Sequence, residues 1–273
     1  MTPFLKSLHI YPIKSCRRVD LDAAEVEPWG LAGDRRWLIT DADGMMRTQR
    51  EMPRMALIEP TYAADGRLRL RAPGMPDLDV SPATRVDGAD EATVTVWRFT
   101  GPAARAARAA DEWVSEYLGE ASRLVRMDDT DVRPTNPDYS DPEDRVSFAD
   151  GYPLLLTSTA SLSALADWIV EVGGDPVPMT RFRPNVVVEG TEPWAEESWM
   201  RIRLGTQVFR MVKLCARCPI TTVDPERGVF AGQQPLKSLR KNHRTEAGAM
   251  FGVNLIPDTV GTIEVGAEFE VLD

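Results

Sequence analysis

Two cysteines separated by two residues form the densest chemical feature of the sequence. They lie in Lys213-Leu-Cys215-Ala-Arg217-Cys218-Pro219, where a strand-like run enters a turn-rich stretch. Scaffolds often present reactive groups at such places. Arg217 stands beside Cys218, and a neighbouring cation favours the thiolate, the form of cysteine that attacks electrophiles and ligates soft metals. The motif therefore predicts a thiolate ligand or nucleophile.

Three other interpretations of the two cysteines stay open from the residues alone. A zinc site needs about four ligands, and the chain offers only Cys16, His9 and His243 besides, all distant in sequence. A thioredoxin-like dithiol expects a βαβ context, whereas this region is rich in strand-like runs. Both cysteines could also be small buried core residues.

Basic residues at the edges of strand-like runs form the second candidate feature. Arg35 lies in Gly33-Asp-Arg-Arg-Trp37, Arg183 lies in Thr180-Arg-Phe-Arg-Pro-Asn185, and Lys14-Ser15 follows Tyr11-Pro12. Guanidinium groups bind phosphate and carboxylate through two parallel hydrogen bonds, so converging arginines would predict an anionic ligand. Each of them alone is an ordinary surface charge. Asp150 is a candidate proton carrier or, equally, a turn residue.

The elements that position these residues are mostly strands. Apolar and polar residues alternate over 67–71 and 93–97, and the spacing predicts further strands over 185–188, 200–204, 207–213 and 262–272. Asp43-Gly44, Asp65-Gly66 and Gly205-Thr206 are typical of tight hairpin turns. We therefore expect a mostly β chain with a few helices, in the α+β class.

Two segments show helical spacing, and one long segment shows neither period. A helix is predicted over 102–118, with Pro102 in its first turn and Gly119 as its stop. A second is predicted over 159–172, capped by Ser158. Residues 128–144 hold seven acidic residues, three prolines and one arginine, a composition that predicts a long loop unable to pack. We place the domain boundary there, with domains over 1–127 and 128–273.

The overall composition excludes some functions and predicts a location. Forty-two acidic against 32 basic residues give a formal charge of −10 over 273 residues, which disfavours a basic nucleic-acid-binding domain. The sequence shows no secretory signal and no apolar run of the roughly 18 to 20 residues that a membrane helix needs. Three cysteines are typical of a reducing compartment. We expect a cytoplasmic protein.

Five segments of the chain form an ordered set of motifs. They are Ile10-Tyr-Pro-Ile-Lys-Ser-Cys16, Gly30-Leu-Ala-Gly-Asp-Arg-Arg-Trp37, Phe182-Arg-Pro-Asn185, Cys215-Ala-Arg-Cys218 with Thr221-Thr-Val-Asp224, and Phe251-Gly-Val-Asn-Leu255. In this order they resemble the MOSC domain proteins that carry an N-terminal MOSC β-barrel domain, and the pattern is most similar to the mitochondrial amidoxime reducing components and their bacterial counterparts. The resemblance spans almost the whole chain and implies a β-barrel-like N-terminal domain packed on a β-barrel MOSC domain.

The resemblance implies a molybdenum enzyme. In that family a molybdopterin cofactor and one protein cysteine hold the metal, and the matching residue here is Cys218. Asp150 matches a residue near the metal that assists proton delivery. The sequence departs from the family pattern at Gly151, Tyr152 and Val253, which affects the outer contacts of the cofactor. The cofactor-binding positions carried over are Lys14, Ser15, Arg35, Arg183, Asn185, Ala216 and Arg217.

The resemblance also implies a substrate class and a partner. The expected activity is the N-reductive detoxification of N-hydroxylated compounds such as amidoximes, hydroxylamines and N-hydroxylated bases. No cysteine follows Cys218 to ligate an iron–sulfur cluster, so we expect a separate electron donor: a ferredoxin, a flavoprotein or a cytochrome b5-like protein. The acidic residues 128–144 could form a lid or a docking surface for that donor. The first strand begins almost at Met1 without a membrane anchor, which implies a soluble enzyme.

Two alternatives to a reductase remain from the sequence. One is a sulfur-carrier or cofactor-handling protein, by analogy with the MOSC domain of cofactor sulfurases, in which a cysteine persulfide on Cys215 or Cys218 is the active species. The other is a non-catalytic module that binds or stores the pterin.

Overall fold

The computed structural model of the chain describes residues 2–85 and 90–273, and more of these residues lie in strands than in helices, which confirms the predicted class. The first half contains β1 (Phe4–Ile10), β2 (Val19–Leu21), β3 (Ala23–Glu27), β4 (Gly30–Leu31), β5 (Trp37–Thr40), β6 (Glu59–Tyr62), β7 (Leu68–Arg71), β8 (Leu78–Val80), β9 (Glu91–Val96), β10 (Phe99–Arg105) and β11 (Arg123–Arg126). The second half contains β12 (Leu154–Ser158), β13 (Val186–Glu189), β14 (Arg201–Leu204), β15 (Gln207–Ala216), β16 (Val223–Asp224), β17 (Val229–Phe230), β18 (Arg244–Thr245), β19 (Gly248–Pro257), β20 (Gly261–Glu264) and β21 (Phe269–Val271). The α-helices of the described residues are α1 (Arg108–Leu118), α2 (Thr159–Glu171) and α3 (Leu236–Asn242).

The largest sheet has the strand order β2-β1-β13-β12-β19-β15-β14-β21, with β18 paired to β19. β12 and β13 are parallel and α2 connects them, whereas the other neighbouring strands are antiparallel. Leu8, Leu156, Val253 and Phe209 belong to the buried core of this sheet. The first two strands of the chain therefore share a sheet with strands that follow residue 128. The domain boundary at 127/128 stays a prediction. With that boundary, β1 and β2 of the first domain would belong to the main sheet of the second.

Smaller sheets build the region between β3 and β11. Their orders are β5-β11-β10-β9, β6-β7-β8 and β20-β3-β4. Trp113, Val114 and Tyr117 of α1 pack into one core cluster with Leu68 and Leu70 of β7. The hairpins at 65–66 and 205–206 are confirmed, because they connect the antiparallel pairs β6/β7 and β14/β15. At 43–44 the chain turns tightly, and the Asp41 carboxylate accepts from the backbone N–H of Asp43.

The helix predicted over 102–118 exists, but its predicted start is wrong. Residues 102–105 belong to β10, and Pro102 and Ala103 pair with β9; the helix begins at Arg108. Alanines at helical spacing fit either conformation, and pairing with β9 decides in favour of the strand because it satisfies the backbone hydrogen bonds there. The predicted stop is confirmed, since Gly119 is left-handed with φ of 77°.

The second predicted helix is confirmed as α2, with Ser158 as its N-cap. The Ser158 side chain accepts a hydrogen bond from the backbone N–H of Ser161, which satisfies one of the free donors of the first turn. The helix ends at Glu171, one residue before the predicted end. No sequence signal used above predicted α3.

Residues 128–144 form the predicted loop apart from a single helical turn, Thr130–Val132, but the prediction that they cannot pack is wrong. Arg133 is buried and donates to the carbonyl oxygens of Ser147, Ala149 and Asp150. Asp144 accepts from Arg210 of β15. The one arginine of this segment thus ties the loop to the chain that precedes β12.

None of the helices in the described ranges is both long enough and apolar enough to cross a membrane.

Candidate functional site

Eight of the nine predicted site residues line one cleft. It encloses about 730 Å³, counted with its open mouth. The ninth, Ala216, is the last residue of β15 and pairs with Met250 without lining the cleft. Cys215 also lines it. The eight are Lys14, Ser15, Asp150, Arg35, Arg183, Asn185, Arg217 and Cys218.

The cleft is built from chain segments that leave or enter strands, and several of them adopt unusual backbone conformations. Ser15, Arg35, Trp97 and Arg183 are left-handed, with φ of 66°, 46°, 56° and 57°, a region that non-glycine residues seldom occupy. All four line the cleft. Such strain persists only where the surroundings impose it and is common at functional sites. One such constraint is the hydrogen bond that the backbone N–H of Arg35 donates to the carbonyl oxygen of Tyr11, at 2.8 Å.

Tyr11 holds two of the cations together. The guanidinium carbons of Arg35 and Arg183 each lie 4.2 Å from the centre of the Tyr11 ring, which attracts cations through its electron-rich face. The Tyr11 hydroxyl donates to the carbonyl oxygen of Pro184 at 3.1 Å. Burial raises the pKa of Tyr11 to about 12, so the ring stays neutral at physiological pH. Two like charges can therefore remain adjacent.

Asn185 positions Arg35. Its side-chain oxygen accepts from Arg35 Nη1 at 2.8 Å and from the backbone N–H of Leu155 at 3.2 Å. Its amide nitrogen donates to the carbonyl oxygen of His9 at 3.1 Å. Asp34 supplies a second acceptor for Arg35 Nη1, at 2.6 Å. Because both ends of the Asn185 amide contact protein groups, its effect on a ligand passes through Arg35.

Lys14 and Asp150 form an ion pair at the cleft. Lys14 Nζ donates to Asp150 Oδ1 at 2.6 Å and to the carbonyl oxygen of Phe148 at 2.8 Å. Trp97 Nε1 also donates to Asp150 Oδ1, at 3.1 Å. Lys14 is 6% exposed, whereas the Asp150 side chain is 69% exposed, so water screens the carboxylate.

This geometry shifts both pKa values. Burial lowers the pKa of Lys14 to about 8, although Asp150 opposes that shift. Partial desolvation by its neighbours would by itself raise the pKa of Asp150, but the Lys14 ammonium and the hydrogen bonds from Lys14 and Trp97 hold that pKa below the usual range. At neutral pH the pair is ionised, and Lys14 carries the proton. The role of Asp150 in proton delivery stays a prediction.

The three cysteines are free thiols in different surroundings. Cys16 is fully buried, and burial raises its pKa to about 12, which leaves it unreactive at neutral pH. Cys215 and Cys218 are half-buried and line the cleft, so the interpretation of both as core residues is wrong. Arg217 Nη1 donates to Cys215 Sγ at 2.8 Å. The sequence placed this cation beside Cys218, and the fold turns it to the other sulfur.

The cations and cysteines that line the cleft fit an anionic ligand that carries a soft metal. Among the residues that the structure describes, the cleft is lined by the cations Lys14, Arg35, Arg183 and Arg217 and by one acidic residue, Asp150. The Arg217 Nε atom is buried and has no hydrogen-bond partner within the described part of the chain, which is costly unless a ligand accepts from it. Phosphate oxygens match guanidinium donors, and a cysteine sulfur matches a soft metal. Within 2–85 and 90–273, no three His, Cys, Asp or Glu side chains converge, so the zinc interpretation has no ligand set there.

Sequence reasoning missed Tyr11, Trp97 and Arg133 as parts of the site. Arg133 had a signal, since it is the single arginine of an acidic segment, and it holds the backbone of residues 147–150. Trp97 had none, because its alternation with Val96 predicts a strand residue. It lies instead in the turn between β9 and β10, where its indole reaches Asp150.

Two domain families and several curated proteins match this chain. The MOSC N-terminal beta barrel domain matches residues 2–121, and the MOSC domain matches residues 143–270. Mitochondrial amidoxime-reducing component 1 of Homo sapiens is 32% identical, over 95% of this chain and 80% of that protein. Mitochondrial amidoxime reducing component 2 of Bos taurus is also 32% identical, over 96% and 81%. Molybdenum cofactor sulfurase of Oryza sativa subsp. japonica is 29% identical, over 92% of this chain and 32% of that protein.

Proposed function

The chain belongs to the family of MOSC-domain proteins that includes the mitochondrial amidoxime-reducing components, and on that premise we propose that it is a molybdenum-cofactor-dependent reductase of N-hydroxylated compounds. The observation that carries the proposal is the convergence of Cys218 and four cationic side chains on one cleft of an acidic protein. The same family connects to cofactor sulfuration through the rice relative. The choice between the two activities therefore rests on the cleft.

In this proposal Cys218 ligates molybdenum, and the cationic residues bind the phosphate and pterin of the cofactor. Lys14, Ser15, Arg35, Arg183 and Arg217 would contact the cofactor directly, and Asn185 would act by positioning Arg35. Ala216 would contribute through its backbone. When bound, the cofactor supplies the two-electron redox centre that protein side chains lack.

The residues around the cleft supply protons for the reaction. Reduction of an N–OH group consumes two electrons and two protons, breaks the N–O bond, forms an N–H bond and releases water. Lys14, with its pKa lowered to about 8 by burial, can give up a proton near neutral pH, close to the ideal range for a general acid. The exposed Asp150 carboxylate connects Lys14 to solvent. The electrons come from a separate donor protein.

Molybdenum content and amidoxime reduction test the proposal together. We expect about one molybdenum atom per purified chain and reduction of benzamidoxime to benzamidine with dithionite-reduced methyl viologen as electron source. Cys218→Ala should lose both the metal and turnover, because the thiolate ligand is gone. Cys16→Ala is the matched control, since Cys16 lies outside the cleft lining, and should retain both. A Cys218→Ala protein with wild-type molybdenum and activity refutes the proposal.

A sulfur-carrier function is the second candidate, because Arg217 is placed against Cys215. A guanidinium 2.8 Å from Cys215 Sγ would neutralise a persulfide anion on that sulfur. Intact-mass measurement distinguishes the two. A dithiothreitol-sensitive gain of one sulfur atom on Cys215 without stoichiometric molybdenum supports the carrier. Molybdenum with amidoxime turnover supports the reductase, and pterin binding without any turnover supports the storage module.

A further inference from the structure

Helix α3 carries an unpaired basic face on an acidic protein. Its sequence, Leu236-Lys-Ser-Leu-Arg-Lys-Asn242, has three cations and no acid, in a chain whose formal charge is −10. Lys237, Arg240 and Lys241 are all exposed. Throughout the described part of the chain, none of these three side chains has a hydrogen bond or an ion pair, whereas exposed arginines such as Arg67 and Arg108 are paired with carboxylates.

Helix stability does not explain this charge pattern. Cations near a helix C-terminus interact favourably with the helix dipole, which accounts for Arg240 and Lys241 in the last turn. Lys237 lies in the first turn, at the end where the dipole disfavours a cation. Lys237 is thus an unpaired cation at the end of the helix that disfavours cations, and Arg240 and Lys241 lie on the same helix. This cluster indicates an interaction with a molecule outside the helix.

The basic face lies directly behind the wall that presents Cys218. The helical turn Pro219–Thr222 follows Cys218 and separates two concave surfaces. Ile220 of this turn lines the cleft, and Pro219 and Thr222 line a groove together with the three cations of α3. We call this second surface the α3 groove.

The opposite face of α3 also connects it to the cleft. Leu236 and Leu239 are buried in one core cluster with Phe182 and Phe251, and Phe182 lines the cleft. The rings of Phe182 and Phe251 stack with their centres 3.9 Å apart. The α3 groove and the cleft thus adjoin the same helical turn and the same core cluster.

We propose that the α3 groove is the docking site for the acidic face of the electron-donor protein. The proposal rests on the reductase function above, which requires two electrons from a separate protein: the donor is oxidised, the substrate N–O bond breaks, and two protons from solvent complete the amine or amidine and water. Charge complementarity selects an acidic redox protein and speeds its association. The position suits this task because electron transfer slows steeply with distance, and the groove adjoins the turn that follows Cys218. The net charge of the chain disfavours nucleic acid as the occupant.

Charge reversal on the holoenzyme tests the docking site. The variant is Lys237→Glu with Arg240→Glu and Lys241→Glu. The probe donor is reduced plant-type ferredoxin, an acidic one-electron [2Fe–2S] protein regenerated by its reductase, and two ferredoxin molecules are oxidised for each N–O bond broken. At low salt we expect the KM for ferredoxin to rise about tenfold or more, because attraction becomes repulsion. Near 1 M salt, where screening acts within about 3 Å, most of the difference should disappear. Turnover with reduced methyl viologen and the KM for benzamidoxime should stay within about twofold of wild type, since the cleft is unchanged.

Two control variants separate local from general charge effects. Arg67→Glu with Arg71→Glu and Arg108→Glu makes the same change in net charge at the two ends of β7 and at the first residue of α1. This variant should leave the ferredoxin KM near the wild-type value. Asp138→Asn with Asp141→Asn and Glu143→Gln neutralises the acidic loop. If the loop were the docking surface, this variant would weaken ferredoxin-driven turnover; we expect no loss.

The outcomes distinguish failure of the docking proposal from failure of the function. A wild-type protein without molybdenum and without viologen-driven turnover refutes the reductase function itself. With viologen turnover intact, the docking proposal is refuted by an unchanged ferredoxin KM in the α3 variant, by an equal rise in the Arg67 control, or by the absence of ferredoxin-driven turnover in wild type. Retention of a short DNA duplex that is lost only in the α3 variant also refutes it and assigns the groove to nucleic acid.

Discussion

The buried charge of Lys14 should make the cofactor-free protein less stable at neutral pH than the same protein with a neutral residue there. Burial lowers the pKa of Lys14 from 10.5 to about 8. Keeping the Lys14 side chain protonated therefore costs free energy in the folded state but not in the unfolded state. As the pH rises from 8 towards 10.5, the folded state releases the proton first and the unfolded state binds more protons. Stability therefore increases over that interval.

The size of the effect follows from the two pKa values. A difference of about 2.5 pKa units corresponds to roughly 3 kcal/mol of destabilisation at pH 7, because each unit is worth about 1.4 kcal/mol. At about pH 9.5 the folded state has lost most of its proton, and roughly 1.4 kcal/mol of the penalty remains. Lys14→Met removes the titrating group and keeps most of the side-chain volume. The stability advantage of the variant over wild type should therefore shrink by about 2 kcal/mol between about pH 7 and pH 9.5.

Urea unfolding followed by tryptophan fluorescence measures this advantage at both pH values, at constant ionic strength. Groups whose pKa does not depend on Lys14 contribute equally in both proteins and cancel in the difference, and the exposed Asp150 carboxylate stays ionised in both over this pH interval. Lys237→Met on the exposed face of α3 controls for the loss of a lysine from the chain. An advantage that stays constant within about 0.5 kcal/mol, or that grows with pH, refutes the assignment of a strained buried ammonium. The same variant should bind less molybdenum cofactor, because it lacks one of the four cations that line the cleft.

Three further predictions concern the scaffold of the cleft. Burial raises the pKa of Cys16 from 9.0 to about 12, so the folded state loses stability as the pH rises above 9. Relative to Cys16→Ala, the wild type should lose about 2 kcal/mol of unfolding free energy between about pH 8 and pH 10.5, measured by urea unfolding under reducing conditions. A parallel pH dependence of the two proteins contradicts this. Asn185→Ala removes an acceptor of Arg35 and should cost about 2 to 3 kcal/mol in the same assay, with a loss below about 1 kcal/mol arguing against the positioning role. Gly252→Ala should lower the free energy of unfolding by at least about 2 kcal/mol more than Gly119→Ala. Both glycines are left-handed, but only at Gly252 would the new Cβ lie 2.6 Å from a backbone oxygen. Equal losses in the two variants would refute the steric argument.

Local patterns predicted those elements whose stability comes from neighbours in sequence. The cap at Ser158 and the turn at 65–66 depend on residues within a few positions, and both are where the sequence places them. The start of α1 depended instead on strand pairing, because residues 102–104 pair with β9, the preceding strand of the same hairpin. Residues 102–105 are compatible with a helix until β9 offers its hydrogen bonds, so a period of alanines cannot decide the boundary.

The candidate site likewise has features that the sequence predicts and contacts that it does not. The order of its motifs, the cysteine pair and the basic residues at strand edges are legible in the sequence, because they depend on residue types and spacing. Tyr11 between two guanidinium groups, Trp97 on Asp150 and Arg133 under residues 147–150 are contacts between distant segments. No local pattern encodes such contacts, since they exist only after the sheets bring the segments together.

By itself, the sequence determined the β-rich class, the family and the set of side chains that can bind an anion and ligate a soft metal. Tertiary structure alone decided that eight of these residues share one cleft, that Arg217 faces Cys215, and that Lys14 is buried with a lowered pKa. It also decided that a basic helix lies behind the turn that follows Cys218. The physical reason is that burial, charge proximity and hydrogen-bond direction depend on distances in space, whereas residue type and spacing depend on the chain alone.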